Sequence, residues 1–485
     1  MIARDGMSLV FIIMSSPITT SSPFQYDLIC IGSGPAGQRA AIQAAKVGKR
    51  VAVIEKKRAV GGACLETGTI PSKTFREAVL SFTGPHQHWG RSSDTAKIRP
   101  TAEQLVTRVA EVIRTEGEVI NDQLRRNDVD FLQGEASFVD PHTLLVHTDQ
   151  HSQTVSSAHI LIAVGTIPTP PPNIAIDGQH ILDSDSIIHL GQLPRTMTVV
   201  GAGIIGIEYA SMLGVLGIEV TLVDSRIRPL EFLDGEIVDE LIYQMRNHQV
   251  TFRLGETVEK LEIANTPSRK VVIHLASGKR LVSGLALYSV GRTGATATLQ
   301  LEKAGLTVDA RGRLQVDSHY RTTVPHILAA GDVIGFPSLA ATSSEQGRLA
   351  ACYAFDMEVK PMTSLFPVGI YAIPEISMVG ATEEQLTLQK VPYEVGVARY
   401  REIARGTIMG DPNGMLKLLF HRKDHRLLGV HVIGTGATEL IHIGQAILHT
   451  ERGLEYFLTT VFNYPTLAEC YKVAALDAYN KLCEI

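Results

Sequence analysis

The segment GGACLETGTIPSK, Gly61 to Lys73, carries one thiol, Cys64, and five residues later a hydroxyl, Thr69. A cysteine at Thr69 would complete a C-x4-C pair able to cycle between dithiol and disulfide. Threonine gives no thiolate near neutral pH and no two-electron couple, so half of a sulfur relay is missing. Two other patterns carry chemistry. Gly32, Gly34 and Gly37 form G-x-G-x-x-G, and Gly201, Gly203 and Gly206 repeat it. The first glycine permits a tight turn, the second lets backbone approach a pyrophosphate, and the third lets helix and strand pack closely. The pyrophosphate then rests on the positive end of the helix.

The elements around both patterns agree with that use. Tyr26 to Lys56 reads strand, Gly-rich turn, Ala-rich helix, strand, with Gly48 placed to end the helix. Glu55 ends the second strand, 18 residues after Gly37, where a carboxylate accepts ribose hydroxyls. Arg195 to Arg226 repeats the unit, with Asp224 at the acid position and Arg226 and Arg228 just beyond. A carboxylate there favours NAD. It repels the 2′-phosphate of NADP by roughly 4 kcal/mol at about 4 Å and an effective dielectric near 20. Arginines in the following loop pair with that same phosphate, so the site reads as one that takes both nucleotides. The competing reading leaves both arginines as solvated surface charges.

Length and composition frame these units. The chain has 485 residues, enough for about three domains, with 45% hydrophobic and 20% charged residues as in a globular enzyme. Net charge is −5 with no block of like charge, which argues against nucleic-acid or membrane partners. The cysteines, Cys30, Cys64, Cys352, Cys470 and Cys483, are few, odd in number and widely spaced. They fit a reducing, cytoplasmic compartment and give no disulfide framework and no metal site. Cys30, Cys352, Cys470 and Cys483 read as structural, and His442 as packing or a dimer contact. The apolar run Met7 to Met14 is too short to cross a bilayer and lacks a basic flank. Residues 1–24 therefore read as a disordered extension or the result of an upstream start. Val164 to Gly178 is too rich in proline for a central strand and reads as a crossover between domains. From about Pro361 the pattern changes to that of an α+β domain.

The order of these motifs resembles the flavoprotein disulfide reductases, from Tyr26 to the C-terminus. The resemblance implies an α/β architecture of two Rossmann-like dinucleotide-binding domains and a C-terminal α+β dimerisation domain. It implies residues 25–165 and 286–360 for FAD, 166–285 for NAD(P), and 361–485 for a homodimer contact. Gly331 and Asp332 in AAGDVIG match the motif whose Asp bonds the flavin ribityl chain. Lys73 matches the lysine beside flavin N5, and Glu208 in GIIGIEYA its ion-pair partner. Taken alone, these two read as ordinary surface residues. A lysine near the ring stabilises reduced flavin, and a buried lysine in turn needs a carboxylate. Gly61, Gly62, Cys64 and Thr69 join the expected flavin site, and Gly291 in YSVGRTGAT joins the expected cofactor contacts.

The chain departs from the family at two places. Thr69 stands at the flavin-side cysteine. Tyr464 in NYPTLAE stands at the histidine of H-P-T-x-x-E, with Pro465, Thr466 and Glu469 kept. A tyrosine with an ordinary pKa near 10 is a poor base at pH 7. Cys470 and Cys483, 13 apart, make no C-terminal cysteine pair. Hydride can enter from a nicotinamide, and without sulfur its simplest exit is to another. GTIPSK, FNYPTLAE, DVIGFPSLA, YAIPEIS and HIGQAI are similar to one branch of the family, the transhydrogenases. That resemblance implies a ping-pong exchange: NADPH gives hydride to FAD, one per subunit, and NAD+ then takes it at the same site. The alternatives are a diaphorase or oxidase passing electrons to quinone or oxygen, a dihydrolipoamide dehydrogenase, and a non-catalytic flavin redox sensor.

Overall fold

The structure is a computed structural model that describes residues 23–83, 100–169, 171, 174–264 and 269–483. The short apolar run at Met7 to Met14 lies outside the described residues. Chain order begins with β1 (Tyr26–Ile31), α1 (Pro35–Lys46), β2 (Val51–Glu55), α2 (Gly62–Glu66), α3 (Thr69–Thr83) and α4 (Ala102–Arg125). Then come β3 (Asp130–Gln133), β4 (Glu135–Asp140), β5 (Thr143–His147) and β6 (Ser152–Ile162). β1 runs parallel to β2 on one side and β6 on the other, which is why its sequence is an unbroken apolar run. The sheet order is β3-β2-β1-β6-β5-β4. α1 ends where expected, with Gly48 at φ +76 just past it.

β7 (Thr166–Pro168) lies within the proline-rich crossover. β8 (Ile181–Asp183), β9 (Thr196–Val200), α5 (Ile204–Val215), β10 (Glu219–Asp224), α6 (Gly235–Asn247) and β11 (Val250–Leu254) follow. β12 (Val258–Ala264), β13 (Lys270–Leu275) and β14 (Arg280–Ser283) form a separate antiparallel sheet, and β15 (Leu285–Tyr288) returns to the parallel one. That sheet is ordered β11-β10-β9-β15-β8 with every pairing parallel. β15 lies between β9 and β8, so the expected boundary after residue 285 falls inside a strand of the second domain. β16 (Arg292–Gly294) pairs with β7 to make a two-stranded ribbon where the chain crosses both ways. β17 (Ile327–Ala329) then joins β6 and α7 (Ala340–Ala354) packs on α1, completing the first domain from a second chain segment.

The third domain contains β18 (Val368–Ile370), β19 (Ile376–Gly380), α8 (Glu383–Leu388), β20 (Tyr393–Arg399) and α9 (Ala404–Met409). β21 (Met415–His421), β22 (Leu427–Ile433), α10 (Ala437–His449), α11 (Leu454–Thr459) and α12 (Glu469–Cys483) complete it. Its sheet is antiparallel, ordered β18-β19-β22-β21-β20, with α10 and α12 packed on it through Leu440, Ile441, Tyr471 and Ala474. The architecture is the α/β fold expected from the sequence, with two Rossmann-like domains and an α+β third domain. No helix among the described residues is long and apolar enough to cross a membrane.

Candidate functional site

The two fingerprint turns are near copies. A Cβ on Gly37 would lie 1.9 Å from the Gly32 carbonyl oxygen, and one on Gly206 would lie 1.8 Å from that of Gly201. Only glycine lets helix and strand approach so closely. Gly34 and Gly203 have no neighbour within 4 Å of where a Cβ would stand, so that side of each turn is open. Each is also the N-cap of its helix, and neither helix has a side-chain cap. The first-turn N–H groups of α1 and α5 thus remain donors for an anion. α4, by contrast, starts with a full capping box from Thr101 and Gln104.

Glu55 is buried and faces the first turn. Its Oε2 accepts the Ser33 N–H at 3.0 Å and the Ser33 hydroxyl at 2.7 Å, and its Oε1 accepts the Lys57 N–H at 3.0 Å. Ser33 also accepts the Gly61 N–H, tying the fingerprint turn to the Gly61–Gly62 turn before α2. Gly62 packs against Gly34, where a Cβ would come within 3.0 Å of its Cα. The open turn, the uncapped helix and the remaining acceptor site on Glu55 fit a dinucleotide on the first domain.

Four of the expected flavin-site residues converge electrostatically. Cys64 is partly buried, and burial pushes its thiol above the ordinary range. A hydrogen bond with Thr69 and the charge of Lys73 oppose that shift, while Asp332 adds to it. Burial likewise pushes the Asp332 carboxyl up, with Arg292, Ser343 and Thr166 acting against it. Arg292 was not singled out from sequence. It donates to Thr166, Ser184 and Asp185, holding the crossover ribbon beside Asp332. Gly291 lies in that crossover, its carbonyl accepting from the Thr169 N–H. Two residues earlier the Ser289 hydroxyl, not singled out from sequence, donates to the Val200 carbonyl at 2.9 Å beside the second fingerprint turn.

Lys73 and Glu208 meet as expected. Lys73 Nζ donates to Oε1 at 2.8 Å and to Oε2 at 2.7 Å, and Glu208 is 3% exposed. The third domain completes the arrangement with the segment 371–375. The Tyr371 N–H donates to Glu208 Oε1 at 2.9 Å, and Lys73 Nζ lies 4.9 Å from the Tyr371 ring centroid. The Ile373 N–H donates to Ser211 on α5 at 3.0 Å. Arg76 on α3 donates to the Ala372 carbonyl at 3.0 Å and pairs with Glu375 at 3.0 Å. One strap therefore clamps helices from both dinucleotide domains.

In the second unit Asp224 accepts the Ala202 N–H at 2.6 Å and the Arg226 N–H at 2.8 Å. The Arg226 side chain closes on it with Nε at 2.9 Å and Nη2 at 2.7 Å. Burial would raise the Asp224 carboxyl, but these donors hold it below the usual carboxylate value. Arg228 Nη2 donates to the Gly235 carbonyl at 2.7 Å and to Asp239 at 2.9 Å.

The remaining candidates fall elsewhere. Tyr464 is 68% exposed in the turn that leads into α12. Cys30, Cys352 and Cys470 are buried as expected, but Cys483 is exposed at the end of α12, where no core surrounds it. His442 is exposed and bonds Gln445, so it does no packing within the chain. Among the described residues no group of His, Cys, Asp and Glu is arranged to hold a metal ion.

Comparison with known proteins adds independent evidence. Residues 26–347 match the family model described as pyridine nucleotide-disulphide oxidoreductase, and residues 366–475 match that of its dimerisation domain. A soluble pyridine nucleotide transhydrogenase of Mycobacterium bovis is 52% identical over 462 residues, covering 94% of this chain and 98% of that one. A protein of the same name from Enterobacter is 44% identical over 467 residues, covering 95% and 100%. Among solved structures, the HOCl-induced flavoprotein disulfide reductase RclA of Escherichia coli superposes with a TM-score of 0.84 at 27% identity, covering 93% and 99%. LpdA of Mycobacterium tuberculosis gives 0.84 at 26% identity, covering 93% and 99%.

Proposed function

The chain belongs to the pyridine nucleotide-disulphide oxidoreductase family, and from that premise we propose that it is a transhydrogenase that moves hydride from NADPH to NAD+ with FAD as its carrier. The observation that carries this reading is the state of the redox segment. Thr69 stands beside Cys64, where a second thiol would be needed, while the Lys73–Glu208 pair stands complete. The names of the relatives at 52% and 44% identity support the same conclusion.

Each part of the chain has a role in this reading. Gly32, Gly34, Gly37, Ser33 and Glu55 hold the FAD pyrophosphate and adenosine ribose, and Gly61, Gly62, Cys64, Thr69, Lys73 and Asp332 surround the rest. Bound FAD supplies a two-electron acceptor and donor able to take hydride from one nicotinamide and return it to another. Gly201, Gly203 and Gly206 with α5 bind either nicotinamide nucleotide in turn. Lys73 carries positive charge to the flavin, and Glu208 fixes its ammonium in place. Thr69 offers no thiolate to divert electrons, and burial keeps Cys64 protonated at neutral pH. Tyr464 takes no proton-shuttling part. The third domain supplies the strap at Tyr371 and, as the dimerisation domain, a contact between two copies.

Initial rates with NADPH and a thionicotinamide analogue of NAD+ test this reading. The expected result is a family of parallel double-reciprocal lines, with little consumption of oxygen or quinone. Intersecting lines, or turnover only with oxygen or quinone, would contradict it.

A further inference from the structure

Hydride exchange through bound FAD needs the Lys73 ammonium held in one place beside the ring, and the role assigned to Arg76 and Glu375 rests on that reading. We propose that these two are positioning residues for the exchange: their ion pair moors α3 to the third domain and so fixes where Lys73 stands.

Arg76 follows Lys73 by three residues on α3, so the two side chains share a face of the helix. Lys73 meets Glu208 on α5, while Arg76 reaches the third domain. Its Nη2 lies 3.0 Å from Glu375, its Nε donates to the Ala372 carbonyl at 3.0 Å, and its Nη1 donates to Glu77 at 2.7 Å. Both members of the pair are buried, with side chains 7% and 8% exposed. Such a pair is a poor device for stability alone, since packed apolar side chains of similar volume do as well or better. What it adds is direction, because charge-assisted hydrogen bonds hold one geometry.

Glu375 is itself anchored on rigid elements. Its Oε1 accepts the Thr438 N–H and the Thr438 hydroxyl, both at 2.7 Å, in the first turn of α10. Its carbonyl accepts the Gly434 N–H at 2.8 Å, and the next residue begins β19. β19 lies between β18 and β22 in the antiparallel sheet. Four residues before Glu375, the Tyr371 N–H holds Glu208 and the Tyr371 ring faces Lys73. The strap thus grips the Lys73–Glu208 pair at one end and Arg76 at the other. A slip of α3 along the strap carries Lys73 with it, and a displacement of about 1 Å in a group beside the chemistry can cost about 100-fold in rate.

The flavin midpoint potential of the holoenzyme, measured against a reference dye without nicotinamide, tests this apart from turnover. R76M/E375Q removes both charges and strands neither. Its reduced flavin should be about 10-fold less favoured than in the parent, a fall of about 30 mV for two electrons. Flavin reduction by NADPH in anaerobic stopped flow should slow by about 10-fold, with the half-saturating NADPH concentration changed less than about 2-fold. In an E208Q background the same double substitution should change either quantity by less than about 2-fold, because both effects pass through Lys73. R76K keeps the ion pair and should stay close to the parent. E375Q alone keeps an acceptor for Thr438, should shift the potential in the same direction, and serves if the double variant does not fold. An unchanged potential and rate, or the full 10-fold effects repeated in the E208Q background, overturn the assignment. Loss of exchange between NADPH and NAD+ in the parent, with the potential shifts as predicted, would count against the transhydrogenase reading and leave the role of Arg76 and Glu375 standing.

Discussion

Lys73 of the first domain and Glu208 of the second are joined through both carboxylate oxygens, at 2.8 and 2.7 Å. The pair links α3 to α5, so the geometry beside the expected flavin depends on how two domains dock.

Breaking the pair should be felt in stability and in chemistry. E208A leaves the Lys73 ammonium with Ser72 as its side-chain hydrogen-bond partner. Because Lys73 is 25% exposed, the loss should be about 2 kcal/mol, less than for a fully buried pair. Urea denaturation measures it. E208Q, which keeps the shape, should slow flavin reduction by NADPH about 100-fold in stopped flow.

The Tyr371 ring should matter separately from its backbone. Y371A keeps the N–H that holds Glu208 but removes the ring 4.9 Å from Lys73 Nζ. The flavin reduction rate should fall by about 5-fold, the worth of a half-exposed cation–π contact. Y371F keeps a ring and should restore the rate. Equal defects in both variants would assign the effect to the hydroxyl.

Sulfur chemistry should not return with one substitution. T69C supplies the second thiol, yet Tyr464 still stands where the family has its histidine. Lipoamide reduction should remain at background in T69C, while thiol titration detects the added cysteine. Robust lipoamide turnover by this variant would refute the role given to the missing base.

Cys64 should behave as a sheltered, protonated thiol. Burial raises its pKa, so its thiolate fraction lies below that of an ordinary thiol at every pH. In a C483S background, which removes the exposed cysteine, alkylation at pH 7.5 should run slower than for a free thiol. The rate should climb only at higher pH than for an ordinary thiol.

Lys417 should be the strongest single determinant of stability outside the site. It is 0% exposed on β21 and bonds Asp234, itself 1% exposed, at the start of α6, as well as Glu383 at the start of α8. Burial opposes its charge, but these carboxylates hold its pKa above the usual lysine value. K417M leaves buried Asp234 without its countercharge, held only by the Glu236 and Glu383 N–H groups, and should cost about 3 kcal/mol, read from the denaturation midpoint at pH 7.

Both glycine fingerprints and both acids were legible in the sequence because each sits in a local pattern with a mechanism, whereas Lys73 and Glu208, ordinary surface residues taken alone, were legible only through the resemblance to the family. What was not legible depends on chain segments far apart or on side-chain direction. Tyr371 reaches Glu208 from 163 residues away, and no local pattern announces that contact. Lys417 interrupts an apolar strand, a conflict that only the approach of Asp234 from another domain resolves. The sequence places two arginines after Asp224 but does not say that one turns back and the other leaves. The end of the second domain was misplaced because β15 looks the same whether it ends one sheet or begins the next segment.

The most direct test of the central claim is an anaerobic half-reaction. Holoenzyme reduced with one equivalent of NADPH is freed of NADP+ and mixed with NAD+, and flavin absorbance is followed together with NADH. Recovery of the oxidised spectrum with one NADH per flavin is the predicted result. A flavin that stays reduced with NAD+ but reoxidises rapidly with oxygen or a quinone would contradict it.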